Sequence, residues 1–303
     1  MVNLKVNICG INFKNPVIAA SGTFGFGEEY NEFYDISLLG GVCTKGLTKE
    51  KRLGNPPPRI AETASGMLNS VGLQNPGVDY FIQHELPRLR EKNTVIIANI
   101  AGNTELDYCE TAWKLSNTLV DMIELNISCP NVKEGGIAFG VKPESVRRIT
   151  EQVKNHCLLP LIVKLSPNVA SLADNAKAAE DGGADAVSLI NTLTGMAVDI
   201  NTKKPILANI TGGLSGPCIK PVALRMVYEC YKKIKIPIIG IGGIMNHADV
   251  IEFILCGAAL VQVGTANIVN PLACKEIIEN LTQYLNKNNI KDVNELIGLA
   301  HKA

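Results

Sequence analysis

The chain has 303 residues, 46% of them hydrophobic and 19% charged, which is the composition of a globular protein with a large core. Its 29 basic and 29 acidic residues cancel to a formal net charge of zero, which removes the basic footprint of a nucleic-acid binder. No stretch approaches the roughly 20 apolar residues of a membrane helix, and Met1-Val2-Asn3-Leu4-Lys5-Val6 has no basic region ahead of an apolar run, so no signal peptide is expected.

Short apolar runs read as strands at Pro16 to Ala20, Gly41 to Thr44, Val95 to Ala98 and Met122 to Leu125. The series continues at Leu161 to Val163, Ala186 to Ile190, Pro237 to Gly240 and Leu260 to Val263. Such near-continuous Val, Ile, Leu and Ala runs are typical of parallel strands buried on both faces. Helical segments are predicted between them, at Asn103 to Asn117, Pro143 to His156, Val169 to Asp181 and Met245 to Cys256. Eight strands alternating with helices predict an α/β fold, a closed (β/α)8 TIM barrel forming one domain over 1–303, with an open doubly wound sheet as the alternative. Residues 46–77 and 193–217, rich in Gly, Pro, Asn, Ser and Thr, interrupt the repeat. They are predicted as loop insertions on the C-terminal face, where barrel enzymes build their sites.

The nine cysteines include no C-x-x-C pair, so reduced thiols in a cytoplasmic compartment are expected. Cys9, Cys109, Cys157, Cys230, Cys256 and Cys274 read as small core hydrophobes. The four histidines are far apart, so no metal site is expected, and the chemistry falls to Cys, Lys, Asn or a cofactor.

The residues that follow the eight strands are Ser21, Lys45, Asn99, Asn126, Lys164, Asn191, Gly242 and Gly264. So many amide and ammonium groups at a buried barrel end would be costly without partners, and a polar planar ligand would satisfy them. The bland reading is that strand ends meet water. Ile241-Gly242-Gly243-Ile244 and Gly264-Thr265-Ala266 follow the seventh and eighth strands, where barrels commonly bind phosphate through glycine backbone and the next helix N-terminus. A lysine such as Lys45 or Lys164 could stabilise a reduced flavin, form a Schiff base, or sit in a structural ion pair. The sharpest segment is Glu124-Leu125-Asn126-Ile127-Ser128-Cys129-Pro130-Asn131, followed by Lys133-Glu134-Gly135-Gly136, whose glycines could hinge a lid. It places a thiol at the catalytic face, where a modest fall from a pKa near 8.5 would make it a general base.

At this segment the chain resembles the dihydroorotate dehydrogenases, and the match runs over essentially its whole length. Further matching stretches are Asn15-Pro16-Val17, Ala20-Ser21-Gly22, Thr44-Lys45-Gly46, Asn69-Ser70-Val71-Gly72-Leu73-Gln74-Asn75, Val163-Lys164-Leu165 and Ile190-Asn191-Thr192. The resemblance implies FMN held by Ala20, Ser21, Thr44, Lys45, Asn99, Asn126, Lys164, Ile190, Gly216, Gly242, Gly243, Gly264 and Thr265. It implies dihydroorotate or orotate held by Lys45, Asn69, Ser70, Val71, Gly72, Leu73, Asn126, Asn131, Asn191 and Thr192. Cys129 would take the C5 proton while hydride leaves C6 for the flavin.

Membrane-bound, quinone-using members resemble this segment but carry serine at the base position, so Cys129 points to the soluble class 1. The run Val132 to Gly140 resembles the NAD-linked type 1B catalytic subunit, and the Pro-Gly-Lys-Pro-like run of the fumarate-linked type 1A is absent. Type 1B implies a homodimer paired with a subunit carrying FAD and a 2Fe–2S cluster in a heterotetramer. The chain itself shows no G-x-G-x-x-G fingerprint and no clustered cysteines for iron–sulfur ligation. Rival readings are a dihydropyrimidine dehydrogenase-like flavoenzyme, an inosine-monophosphate-type dehydrogenase using a nucleophilic cysteine, and a non-catalytic barrel that binds a phosphorylated ligand.

Overall fold

The computed structural model describes residues 2–128 and 139–302. Cys129, Asn131 and the glycines Gly135 and Gly136 lie outside the described residues.

Eight strands form the barrel: β1 (Val17–Ala19), β2 (Gly41–Cys43), β3 (Val95–Ile100), β4 (Met122–Asn126), β5 (Leu161–Lys164), β6 (Ala186–Leu189), β7 (Ile238–Ile241) and β8 (Ala258–Val263). Each pairs in parallel with its chain neighbours, and β8 pairs with β1, so the sheet closes. Closure disposes of the open-sheet alternative. It also explains the uninterrupted apolar runs: each strand faces a packed interior on one side and a helix on the other.

Besides the helical run over 78–91, the helices that return the chain include α1 (Glu105–Ser116), α2 (Pro143–Lys154), α3 (Leu172–Asp181), α4 (Lys220–Tyr231), α5 (His247–Leu255) and α6 (Ala273–Lys287). Local chemistry sets where they start. Thr104 and Asn246 form reciprocal capping boxes with Asp107 and Asp249, Ser171 accepts from Asp174 N, and Pro143 opens α2. The starts of α1, α3 and α5 lie two, three and two residues later than predicted, while α2 starts at Pro143 as predicted.

An N-terminal hairpin, Val6–Ile8 with Ile11–Phe13, turns through Cys9 and Gly10, both at positive φ as a two-residue turn needs. Phe13 is fully buried, and Cys9 Sγ donates to the Asp185 carbonyl just before β6. The hairpin thus packs at the N-terminal end of the barrel.

The two predicted loop insertions are not irregular. They meet in one antiparallel sheet, in the order Leu193–Met196, Thr211–Ser215, Gly66–Asn69, Ile60–Thr63, with Ala61, Leu68 and Leu207 as a small core of their own. Glycine hides the strand pattern in the sequence. A Cβ at Gly212 would come within 2.6 Å of the Asn69 carbonyl, so the pairing itself demands its absence.

Candidate active site

The C-terminal ends of the strands and this antiparallel sheet enclose a cavity of about 510 Å³, in the range of small-molecule sites. All eight residues expected at the strand ends line it: Ser21, Lys45, Asn99, Asn126, Lys164, Asn191, Gly242 and Gly264, with Asn99, Asn126 and Lys164 still within their strands. A barrel makes this unavoidable, because parallel strands deliver all their C-terminal ends to one rim. Ala20, Asn69 to Leu73, Ile190, Thr192, Gly216, Gly243 and Thr265 line the same cavity.

Thr44 does not. It is fully buried behind the wall, where its hydroxyl donates to the Lys45 carbonyl and accepts from Asn99 N, both at 3.2 Å. It steadies two lining residues instead of facing the cavity. Cys129 and Asn131 are outside the described residues.

Hydrogen bonds fix which face of each amide meets a ligand. Asn126 Oδ1 accepts from Ser128 N (3.3 Å) and Asn191 Nδ2 (3.4 Å), leaving its NH₂ as the group to donate. Asn191 Oδ1 in turn holds Thr192 N at 2.7 Å. Asn99 Nδ2 is committed to the buried Glu124, while Asn99 Oδ1 is buried with no partner among the described residues. An unpartnered buried acceptor in a cavity wall is costly unless a ligand donates to it.

The 69–73 segment is held from behind by asparagines. Asn55 Nδ2 donates to the Ser70 carbonyl, and Asn75 Nδ2 to the Leu73 carbonyl and Thr48 Oγ1. Asn75 Oδ1 accepts from Thr48 N and Gly77 N. Leu73 itself sits at positive φ, so this bracing holds a strained residue in place. Ser70 Oγ, buried and without a partner among the described residues, is a second polar group of the wall.

The glycine turns differ from the expectation in one respect. Asn246 and Asp249 consume the first amides of α5: Asn246 Oδ1 accepts from Ala248 N and Asp249 N, and the Asp249 carboxylate from Met245 N and Asn246 N. That helix end therefore has most of its leading amides occupied by its own side chains. An anion would meet the close backbone of Gly216, Gly242, Gly243 and Gly264 and the start of the short helix Thr265–Val269, whose N-cap is Gly264, with the Thr265 hydroxyl bonded to Ser215 Oγ at 2.9 Å. Gly243 lies at φ +75°, and a Cβ there would meet Lys220 N at 2.8 Å and the Gly216 carbonyl at 2.9 Å. Gly243→Ala is expected to cost about 1–3 kcal/mol in stability, from left-handed strain on a non-glycine residue. The displaced turn should also weaken phosphate-dependent ligand binding, which calorimetry with and without the phosphate group would check.

Beneath the floor lies a group that the sequence pattern does not single out, although it opens the segment from Glu124 to Asn131. Glu124, fully buried on β4, accepts through Oε1 from Asn99 Nδ2 (2.6 Å), Lys164 Nζ (3.3 Å) and Cys43 Sγ (3.3 Å). Through Oε2 it accepts from Ser188 Oγ (2.8 Å) and Gln262 Nε2 (2.6 Å). Burial pushes its carboxyl pKa up, but the Lys164 ammonium and the bonds from Gln262, Ser188 and Asn99 more than offset this and hold it below the ordinary value. The available signal was a lone polar residue inside each of three apolar strands: Glu124, Ser188 and Gln262.

The comparisons with known proteins bear on this geometry. The model of the dihydroorotate dehydrogenase family matches residues 3–285. The chain belongs to the dihydroorotate dehydrogenase family. It is 58% identical to the dihydroorotate dehydrogenase B (NAD⁺) catalytic subunit of Petrotoga mobilis, over 99% of this chain and all of the relative. The proteins of the same name from Caldicellulosiruptor bescii (56%; 98% of this chain, 99% of the relative) and Alkaliphilus metalliredigens (58%; 98% of each) are similar to it over nearly their whole length. No helix among the described residues of this dihydroorotate dehydrogenase family member is long and apolar enough to cross a membrane. The cavity fits a flavin nucleotide in kind: an orphaned acceptor at Asn99 and an ammonium at Lys164 suit the ring, and close glycine backbone suits the phosphate.

Proposed function

We propose that this chain is the catalytic subunit of a class 1B, NAD-linked dihydroorotate dehydrogenase, oxidising (S)-dihydroorotate to orotate in de novo synthesis of UMP. The observation that carries the reading is the convergence of Lys45, Asn99, Asn126, Lys164 and Asn191 on a cavity walled by glycine turns, in a chain of this family. One FMN would be held by Ala20, Ser21, Lys45, Asn99, Asn126, Lys164, Ile190 and Gly216, with Gly242, Gly243, Gly264 and Thr265 at its phosphate. Thr44 steadies this set from behind the wall. When bound, FMN supplies the hydride acceptor.

Cys129 takes the proton from C5 of dihydroorotate. Lys45, Asn69 to Leu73, Asn126, Asn131, Asn191 and Thr192 hold the planar diamide and its carboxylate, since amide side chains, an ammonium and backbone N–H groups match those donors and acceptors. The "catalytic subunit" in the relatives' names supports a separate electron-transfer subunit carrying FAD and a 2Fe–2S cluster. It would join a homodimer of this single-domain chain in a cytoplasmic heterotetramer and pass electrons to NAD.

Anaerobic stopped-flow absorbance tests this directly. Dihydroorotate is expected to bleach the flavin band of the purified chain, and NAD is expected not to restore it until the partner subunit is added. A colourless protein, or a flavin left oxidised by dihydroorotate, would overturn the reading. Reoxidation by fumarate alone would move the chain to type 1A.

A further inference from the structure

Glu124 does not line the cavity, and neither do two of its donors, Ser188 and Gln262. The other two strong donors, Asn99 and Lys164, do line it. The carboxylate therefore lies one layer below the floor and bonds upward to the two lining residues whose ammonium and amide would meet a flavin ring. From below it is clamped by β6 through Ser188 and by β8 through Gln262. With Cys43 on β2, Asn99 on β3 and Lys164 on β5, one side chain ties together six of the eight barrel strands.

Such a group is expensive for stability alone, because a buried ion pair is often replaceable by apolar residues at no loss. Its geometry has a sharper consequence. Asn99 could face the cavity with either end of its amide. Because Nδ2 donates to Glu124 at 2.6 Å, Oδ1 becomes the end that has no partner among the described residues. Lys164, 7% exposed, is likewise tethered by one of its three N–H groups, leaving the others to a ligand.

We propose that Glu124 is a positioning residue for the flavin site, acting through Lys164 and Asn99 to set both the affinity for FMN and the reduction potential of the bound flavin. The proposal rests on the flavin reading given above. A correctly aimed ammonium stabilises the negative charge of reduced flavin, so losing the aim makes the flavin harder to reduce.

The test compares apoprotein variants by fluorescence titration with FMN and by equilibrium dye reduction of the reconstituted flavin. Glu124→Gln keeps the shape and removes the charge. It is expected to raise the FMN dissociation constant about tenfold, within the range of coupling between residues in one network, and to shift the midpoint potential to more negative values. In a Lys164→Ala background the same substitution is expected to shift the dissociation constant less than about twofold, because the charged one of the two residues through which it acts is gone and only the neutral Asn99 contact remains. Unchanged affinity and potential in Glu124→Gln, or the same loss with and without Lys164, would overturn the proposal. A midpoint potential that rises would also overturn it, reducing Glu124 to a nearby negative charge.

Should Glu124→Gln fail to fold, Ser188→Ala carries the test. It removes one clamp from outside the cavity, and is expected to shift both quantities in the same direction by a smaller factor, again only when Lys164 is present. No change in Ser188→Ala would then overturn the proposal. Wild-type apoprotein that takes up no FMN would instead sink the flavin reading itself, so the two failures are distinct.

Discussion

Cys129→Ala is expected to retain its flavin and to lose about 10²–10⁴-fold in the rate of flavin reduction by dihydroorotate, the usual contribution of a general base. The other thiols show why one cysteine has to be set apart for this task. Burial pushes Cys9 up to about 11, and Cys230 and Cys274 up to about 12. Burial and the adjacent Glu124 carboxylate push Cys43 well above its ordinary value. Thiols so raised stay protonated at neutral pH and cannot accept a proton from carbon. A catalytic thiol needs the opposite setting, beside cationic or hydrogen-bond-donating groups at the open end of the barrel. Cys129→Ser should be slower than the wild type at pH 7, because a serine hydroxyl is a weaker base without other activation. Anaerobic single-turnover reduction measures both variants. Near-normal reduction in Cys129→Ala would remove this residue from the mechanism.

Lys164→Ala is expected to destabilise the protein by about 3–5 kcal/mol, the cost of leaving one member of a buried ion pair without its partner. Glu124 would keep its hydrogen bonds from Asn99, Ser188 and Gln262 but lose its ion-pair partner. The pH dependence follows from the sign of the shift. In the wild type the Glu124 carboxyl is lowered on folding. Its contribution to stability is therefore complete above the ordinary carboxylate range and is lost only as pH falls through the lowered folded value. In Lys164→Ala the effect of burial loses its main opponent, the ammonium, so the folded carboxyl rises and takes a proton more readily on acidification. The stability gap between variant and wild type should then be widest near pH 8 and narrow toward pH 5. Urea denaturation at the two pH values checks this. A gap independent of pH, or one that widens on acidification, would contradict the buried-charge account.

Much of this protein was legible before any coordinates. Eight runs such as Leu161 to Val163 and Ala186 to Ile190 could be read as parallel strands because burial on both faces leaves no alternation to disguise them. Once the fold is a closed barrel, the next residue along each run must reach a common rim. That is how Lys45, Asn99, Asn126, Lys164 and Asn191 could be gathered into one candidate site from their positions alone. The two insertions were recognisable as interruptions but not as a sheet. The strand pairing of Gly66–Asn69 with Thr211–Ser215 joins segments far apart in sequence, and their glycines carry no strand signal.

What only the tertiary structure decided is the layer behind the site. Thr44 faces away from the cavity, although its neighbour Lys45 faces in. The α5 N-terminus is closed by its own Asn246 and Asp249. Glu124 finds Ser188 and Gln262 at separations of 64 and 138 residues. Local pattern can show that a residue points into a barrel, because strand direction and period are local properties. It cannot show which groups meet there, because the partners of a buried charge are set by closure of the whole sheet and by the need of every buried donor for an acceptor.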